Sequence, residues 1–167
     1  MTSTAEPGIW QHVDTGDFTG WPGLPADADY AEFDARFPRL VDGEARGMLG
    51  SSFELAYYTV HVAQRYPQHL KAWRQDTRLV LVEATLPNLA TSPADLTAAL
   101  GEPATRLNYH WDVLTVPEGA HVYPDRGITV CIGPEGQVLR LSLFTPCELD
   151  SYLRTRHHES RLIEQEW

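Results

Sequence analysis

At 167 residues and 43% apolar, the chain is long enough to bury a core without disulfides or a metal. Its formal net charge of −10 excludes the Lys/Arg surface that nucleic acid demands, and no run of about 18 apolar residues is present to span a membrane. Of 13 basic residues all but Lys71 are arginine, and the two cysteines, Cys131 and Cys147, lack disulfide-framework or metal-site spacing.

Residues 1–8 read as a polar tail without the basic start and apolar run of a secretory signal, so a cytoplasmic protein is expected. Ile9, Trp10 and Val13 predict a short apolar strand. The Gly-, Pro- and Asp-rich run 16–29 is expected to be irregular, with Phe18 and Trp21 plugging the end of a core. Asp27 or Asp29 then caps a helix over 29–37, in which Tyr30, Phe33 and Phe37 form the buried stripe. Residues 39–52 carry three Gly and two Ser and read as a loop. Strands follow over 54–63, 70–74 and 79–86, the last two joined by a turn at 75–77.

A second unit opens at Ser92-Pro93-x-Asp95, an N-cap with proline in the first helical position, and its helix stops at Gly101 and Pro103. Strands are predicted over 107–114, 127–132 and 137–144. Turns are expected at 117–119 and at Gly133-Pro134-Glu135-Gly136. Thr145-Pro146-Cys147-Glu148 matches a capping box and starts a helix running to about 156. The segment 157–167 reads as a tail.

Two of these stretches echo each other. RLVLVEATLP (78–87) and QVLRLSLFTP (137–146) are apolar runs of strand length set 59 residues apart, each with a Tyr-Pro pair upstream at Tyr66-Pro67 and Tyr123-Pro124. A signal repeated at one offset predicts tandem units. The expected fold is therefore α+β: two helix-plus-three-strand units, over 29–90 and 91–156, forming one antiparallel sheet with the helices on one face. Residues 1–28 and 157–167 flank this single compact domain.

Alternation along the strands divides the sheet into two faces. Ala56, Tyr58, Val60, Val62, Val80, Val82 and Ala84 are expected under the helices, with Tyr109, Trp111, Val113, Ile128, Val130, Leu139, Leu141 and Leu143. The opposite face then collects Tyr57, His61, Lys71, Trp73, Leu79, Leu81 and Glu83, with His110, Cys131, Val138, Arg140, Ser142 and Phe144. A sheet face that mixes aromatics, His and Arg has the composition of a protein-binding surface. Cover by the chain termini and a homodimer formed sheet to sheet are the other arrangements such a face allows.

Motifs of catalysis are missing: there is no P-loop, GxGxxG or GxSxG. His157, His158 and Glu159 are consecutive and diverge on a helix, and His61, His69, His110 and His121 lack ligand spacing, so no metal or cofactor is expected. Cys147 in the first turn of a predicted helix has a lowered thiol pKa in prospect, but a nucleophile also needs a base.

The tandem architecture resembles that of β-lactamase inhibitory protein. Leu100-Gly101-Glu102-Pro103 after a helix and Tyr123-Pro124-x-x-Gly127-Ile128 before a hairpin are similar to the small outer-membrane assembly lipoproteins of the same architecture. The resemblance spans about residues 28–155 and implies a concave sheet face that grips another protein. Those proteins are exported, with disulfides or a lipid-anchoring Cys near the start, and this sequence has neither, so no functional residue is carried over. The reading is a non-catalytic inhibitor, immunity or accessory protein that binds a protein partner through Tyr57, His61, Trp73, His110, Arg140 and Phe144. Its rival is a small cofactor-free biosynthetic enzyme using His110, His121 or Cys147.

Overall fold

The computed structural model describes residues 8–46, 52–155 and 163–165. Helix α1 (Ile9–Thr15) comes first, where a strand is predicted. Ile9, Trp10 and Val13 fit one helical face as well as a strand, and Gly16 decides between them. At φ 68° Gly16 closes the helix, its N–H donating to the His12 carbonyl. The irregular run after α1 lays Phe18, Trp21 and Leu24 into the core, all buried. Trp21 Nε1 donates to the Gly127 carbonyl at 3.2 Å, tying this segment to the far half of the chain.

Helix α2 (Tyr30–Arg36) starts at Asp29, whose carboxylate accepts the Ala31 N–H. A meander of four antiparallel strands follows: β1 (Arg39–Arg46), β2 (Ser52–His61), β3 (Pro67–Gln75) and β4 (Arg78–Thr85). Strand β1 occupies most of a stretch that reads as loop, since its Gly and Asp content gives no strand signal. Pairing with β2 along its length overrides that weak local preference. The remainder of the expected loop, 47–51, lies outside the described residues.

Helix α3 (Pro93–Leu100) is capped as its sequence predicts: Ser92 Oγ accepts the Asp95 N–H and donates to the Asp95 carboxylate at 2.7 Å. A second meander of four follows, β5 (Thr105–Trp111), β6 (Leu114–Tyr123), β7 (Ile128–Ile132) and β8 (Val138–Phe144). The expected turn at 117–119 is absorbed into β6 as an irregularity. Glu118 takes φ 54°, and the Asn108 side chain accepts its N–H at 3.2 Å. The true turn is at Asp112 and Val113.

The meanders join through antiparallel pairing of β4 with β8, and the three-residue β9 (Ile163–Gln165) adds outside β1. The sheet order is β5-β6-β7-β8-β4-β3-β2-β1-β9. Helix α4 (Leu149–Arg154) begins later than the predicted capping box, with Glu148 at its N-cap. The intervening Cys147 N–H donates to the Pro124 carbonyl, which keeps that residue out of the helix.

Two apolar clusters lie on opposite sides of the sheet. Phe33 of α2 and Leu96 and Leu100 of α3 are buried with Val13, Trp21, Tyr58, Val60, Val82, Leu141 and Leu143. Tyr152 of α4 instead joins Leu55, Trp73, Leu81 and Phe144, which alternate with that first set. The strand-by-strand assignment is inverted along β5, where Tyr109 and Trp111 pack with Cys131 and Val113 is exposed in the turn, and at two bulges. Val80 and Leu139 are extra residues at breaks in register, where Trp73–Arg74 face Leu81 and Leu79, and Cys131–Ile132 face Arg140 and Val138. Each bulge shifts the phase by one residue, so Leu79 and Val138 belong to the first cluster.

Candidate functional site

The face that carries α4 is banded by its register. One cross-strand row is apolar: Leu55, Trp73, Leu81 and Phe144 from β2, β3, β4 and β8. The next row along the same strands is Tyr57, Lys71, Glu83 and Ser142, continued by Thr129 on β7. A third runs Thr85, Arg140, Cys131, Ala120 and Leu107. Residues two apart on a strand share a face, so all three rows look the same way.

Glu83 sits at the middle of this surface with 5% of its area exposed. Arg140 Nη1 lies 3.6 Å from its Oε2, and Ser142 Oγ is 3.5 Å from the same oxygen. Both contacts are long, so the carboxylate is held by charge more than by tight hydrogen bonds. Lys71 stands opposite Glu83 in register, with Nζ 5.4 Å from the Tyr57 ring centre and 5.7 Å from that of Trp73. On the other flank the Arg140 guanidinium carbon is 5.8 Å from the Tyr109 ring centre. The result is one buried carboxylate between two cations, each backed by aromatic rings. The Thr129 and Tyr152 hydroxyls, 3.0 Å apart, tie α4 to the end of the polar row.

Two hollows flank this ridge. An open one of about 700 Å³ is bordered by Tyr57, His69, Lys71 and Glu83. A smaller one of about 220 Å³ lies between Tyr109, Cys131, Arg140 and Tyr152. Burial pushes the Cys131 thiol up to about 12, with Glu83 adding to the shift and Arg140 opposing it. Burial likewise raises the Tyr109 phenol, against the pull of Arg140. Both groups are therefore neutral near pH 7.

Tyr57 and Arg140 stand on the expected face, on either side of Glu83. Trp73 and Phe144 are on that face too, but at 3% and 1% exposed they are packed in its apolar row with Tyr152, which corrects the expectation of open contact residues. His61 is exposed at the end of β2, paired with Pro67 at the hairpin. His110 does not share the ridge. Its Nδ1 is 3.0 Å from Thr115 Oγ1 across the β5–β6 hairpin, and its neighbours Tyr109 and Trp111 turn toward Cys131 instead. Leu107, Tyr109 and Trp111 alternate without a break, so β5 as a whole faces opposite to the expectation; the extra residues of the β5–β6 register lie on β6, around Glu118.

The residues of the rival reading are separated. Cys147 packs by Phe144 and Tyr152. His121 is out of phase with Ala120 and lies opposite Arg106 and Val130; burial, then Arg106, lowers its pKa. Alternation puts Glu83 and Lys71 on this face as well, outside the expected contact set. The signal for Glu83 was available: it is the one carboxylate inside an apolar run of strand length. Among the described residues no helix is long and apolar enough to cross a membrane, and no three His, Cys, Asp or Glu are grouped to hold a metal. No protein family, curated protein or solved structure matches this chain.

Proposed function

We propose that this is a non-catalytic, cytoplasmic protein-binding module, acting as an inhibitor, immunity factor or accessory subunit through the α4 side of its sheet. The observation that carries the reading is the ridge: two ring-backed cations, Lys71 and Arg140, around the single buried carboxylate Glu83. Two cations against one anion give the ridge net positive charge on a chain whose formal total is −10. That local reversal suits an acidic segment of a partner, which the rest of the surface would repel. Tyr, Trp and Arg are also the side chains that contribute most at protein interfaces. Trp73 and Phe144 then act from beneath, as the packed floor that fixes Lys71 and Tyr57 in place, and His61 and His110 sit at the rim.

The module is built from tandem units, each a helix followed by a four-strand meander. Glu83 and Ser142 face each other across the β4–β8 junction and are 59 residues apart. That is the offset between the two apolar runs, and the bulges at Val80 and Leu139 repeat it. A duplicated unit joined by an approximate two-fold axis between Glu83 and Ser142 accounts for all three. The concave, protein-gripping sheet of β-lactamase inhibitory protein remains the architectural analogue, a resemblance of form that bears on function only by analogy.

The enzyme alternative would draw on the hollow beside Cys131, but a thiol held at about 12 is a poor nucleophile at neutral pH. Affinity capture from the source cell extract, wild type beside Lys71→Glu, tests the binding reading. One stoichiometric protein retained by the wild type and lost by the variant is expected. Equal capture by both would remove the ridge from the account.

A further inference from the structure

The smaller hollow combines a cationic, donor-bearing lining with apolar residues. The polar side chains among its lining residues include Arg140, Tyr109, Thr129, Ser142 and Tyr152, and no carboxylate lines it. Glu83 lies behind Arg140 and borders the other hollow. Leu107 and Ala120 supply its apolar surface, continuing the cross-strand row of Arg140 and Cys131. Tyr109 is 6% exposed, and its hydroxyl is buried with no hydrogen-bond partner among the described residues. A buried hydroxyl in that condition is costly, and an acceptor entering from the hollow would satisfy it. Burial keeps the phenol protonated, so it is a donor across the physiological range.

We infer that this hollow is a binding site for a small monocarboxylate with a compact apolar body, its carboxylate against Arg140 and Tyr109 and its body against Leu107 and Ala120. The size limits the ligand: about 220 Å³ is below the range of sites for drug-sized molecules and has the volume of about seven waters. The charge selects its sign, since a cation would meet Arg140 and find no carboxylate on the wall. The apolar side selects against inorganic anions, which would leave Leu107 and Ala120 facing a hydrated ion. The site shares Arg140 with the ridge and so touches the proposed partner surface there, while Lys71 and Tyr57 border the other hollow.

Titration of the full-length, ¹⁵N-labelled protein with benzoate, beside its neutral isostere benzamide, tests this. Benzoate is expected to shift amides of β5, β7 and β8 around Tyr109, Cys131 and Arg140, with benzamide at least tenfold weaker. Tyr109→Phe keeps the ring and is expected to weaken benzoate about tenfold, the loss of one hydrogen bond to a charged acceptor, with no loss of folding stability. Ala120→Leu fills the apolar wall and is expected to abolish the shifts while the fold persists. The inference is overturned if benzamide binds as well as benzoate, or if the shifts lie outside these strands. It is equally overturned if Tyr109→Phe leaves the benzoate affinity unchanged, or if millimolar benzoate moves nothing.

Discussion

The two sides of the sheet solve the same packing problem differently. Beneath α2 and α3, strands β2, β3, β4, β6, β7 and β8 contribute apolar side chains, and Phe33, Tyr58, Val82, Leu96, Leu141 and Leu143 are sealed from water. Beside α4 an apolar row alternates with a row that holds a lysine, a buried glutamate, a serine and a threonine. Burying a carboxylate adds nothing to stability that a leucine of similar size would not exceed. A fold that has built one side almost entirely from hydrophobes, with Gln68 and His12 as its buried polar groups, had the means to build the other likewise. The contrast marks the first side as core and the second as the side kept for recognition.

Substitutions separate the two sides by size of effect. Phe33→Ala should cost about 4 kcal/mol in chemical denaturation, since Phe33 is fully buried and its ring meets those of Trp10, Phe37 and Tyr58. Trp73→Ala should cost about 3 kcal/mol, because the apolar row under α4 is packed although it lies on the recognition side. A change under about 0.5 kcal/mol there would show that row to be open surface. Arg140→Leu should cost about 2 kcal/mol by leaving buried Glu83 with Lys71 as its remaining cation, at the low end because Lys71 stays and Arg140 is partly exposed. Glu83→Leu added to it should recover most of that loss, and a double-mutant cycle reads the coupling directly.

Smaller still is the response to alkali. The Cys131 thiol, ordinarily 9.0, is pushed up to about 12 in the fold, so the folded chain holds this proton more tightly than the unfolded one. Its contribution is complete below pH 9.0 and is lost as the pH rises toward about 12. Tyr109, Tyr58 and Tyr123 are raised from 10.0 and act in the same direction. Denaturation midpoints should fall above pH 9, and Cys131→Ala should fall less steeply between pH 9 and 12.

Much of the core side was legible because alternation needs only the pleat: Ala56, Tyr58, Val60 and Val62 are buried as their spacing predicts. The cap at Ser92 and the hairpin at Gly133–Gly136 were legible for the same reason, being local chemistry. What failed depends on distant partners. Strand β1 has no strand composition and exists because β2 pairs with it. The bulges at Val80 and Leu139 each invert a stretch of the facing pattern, and no residue type announces them. On the recognition side Tyr57 and Arg140 could be read from parity. That Tyr109 replaces His110, and that α4 roofs Trp73, required the register and the course of the chain after β8.

Lys71 is the only lysine in the chain, so amine-directed labelling reports on the ridge apart from the N-terminus. Its substitution by Ala should cost about 1 kcal/mol, less than Arg140→Leu because Arg140 still faces Glu83. The direct measurement is the rate of Lys71 reductive methylation in the isolated protein and in the complex captured from cell extract, read by mass spectrometry. Recognition through this side of the sheet predicts that Lys71 reacts in the isolated protein and is protected several-fold in the complex. An unchanged rate in a stoichiometric complex would place the partner elsewhere and contradict the account.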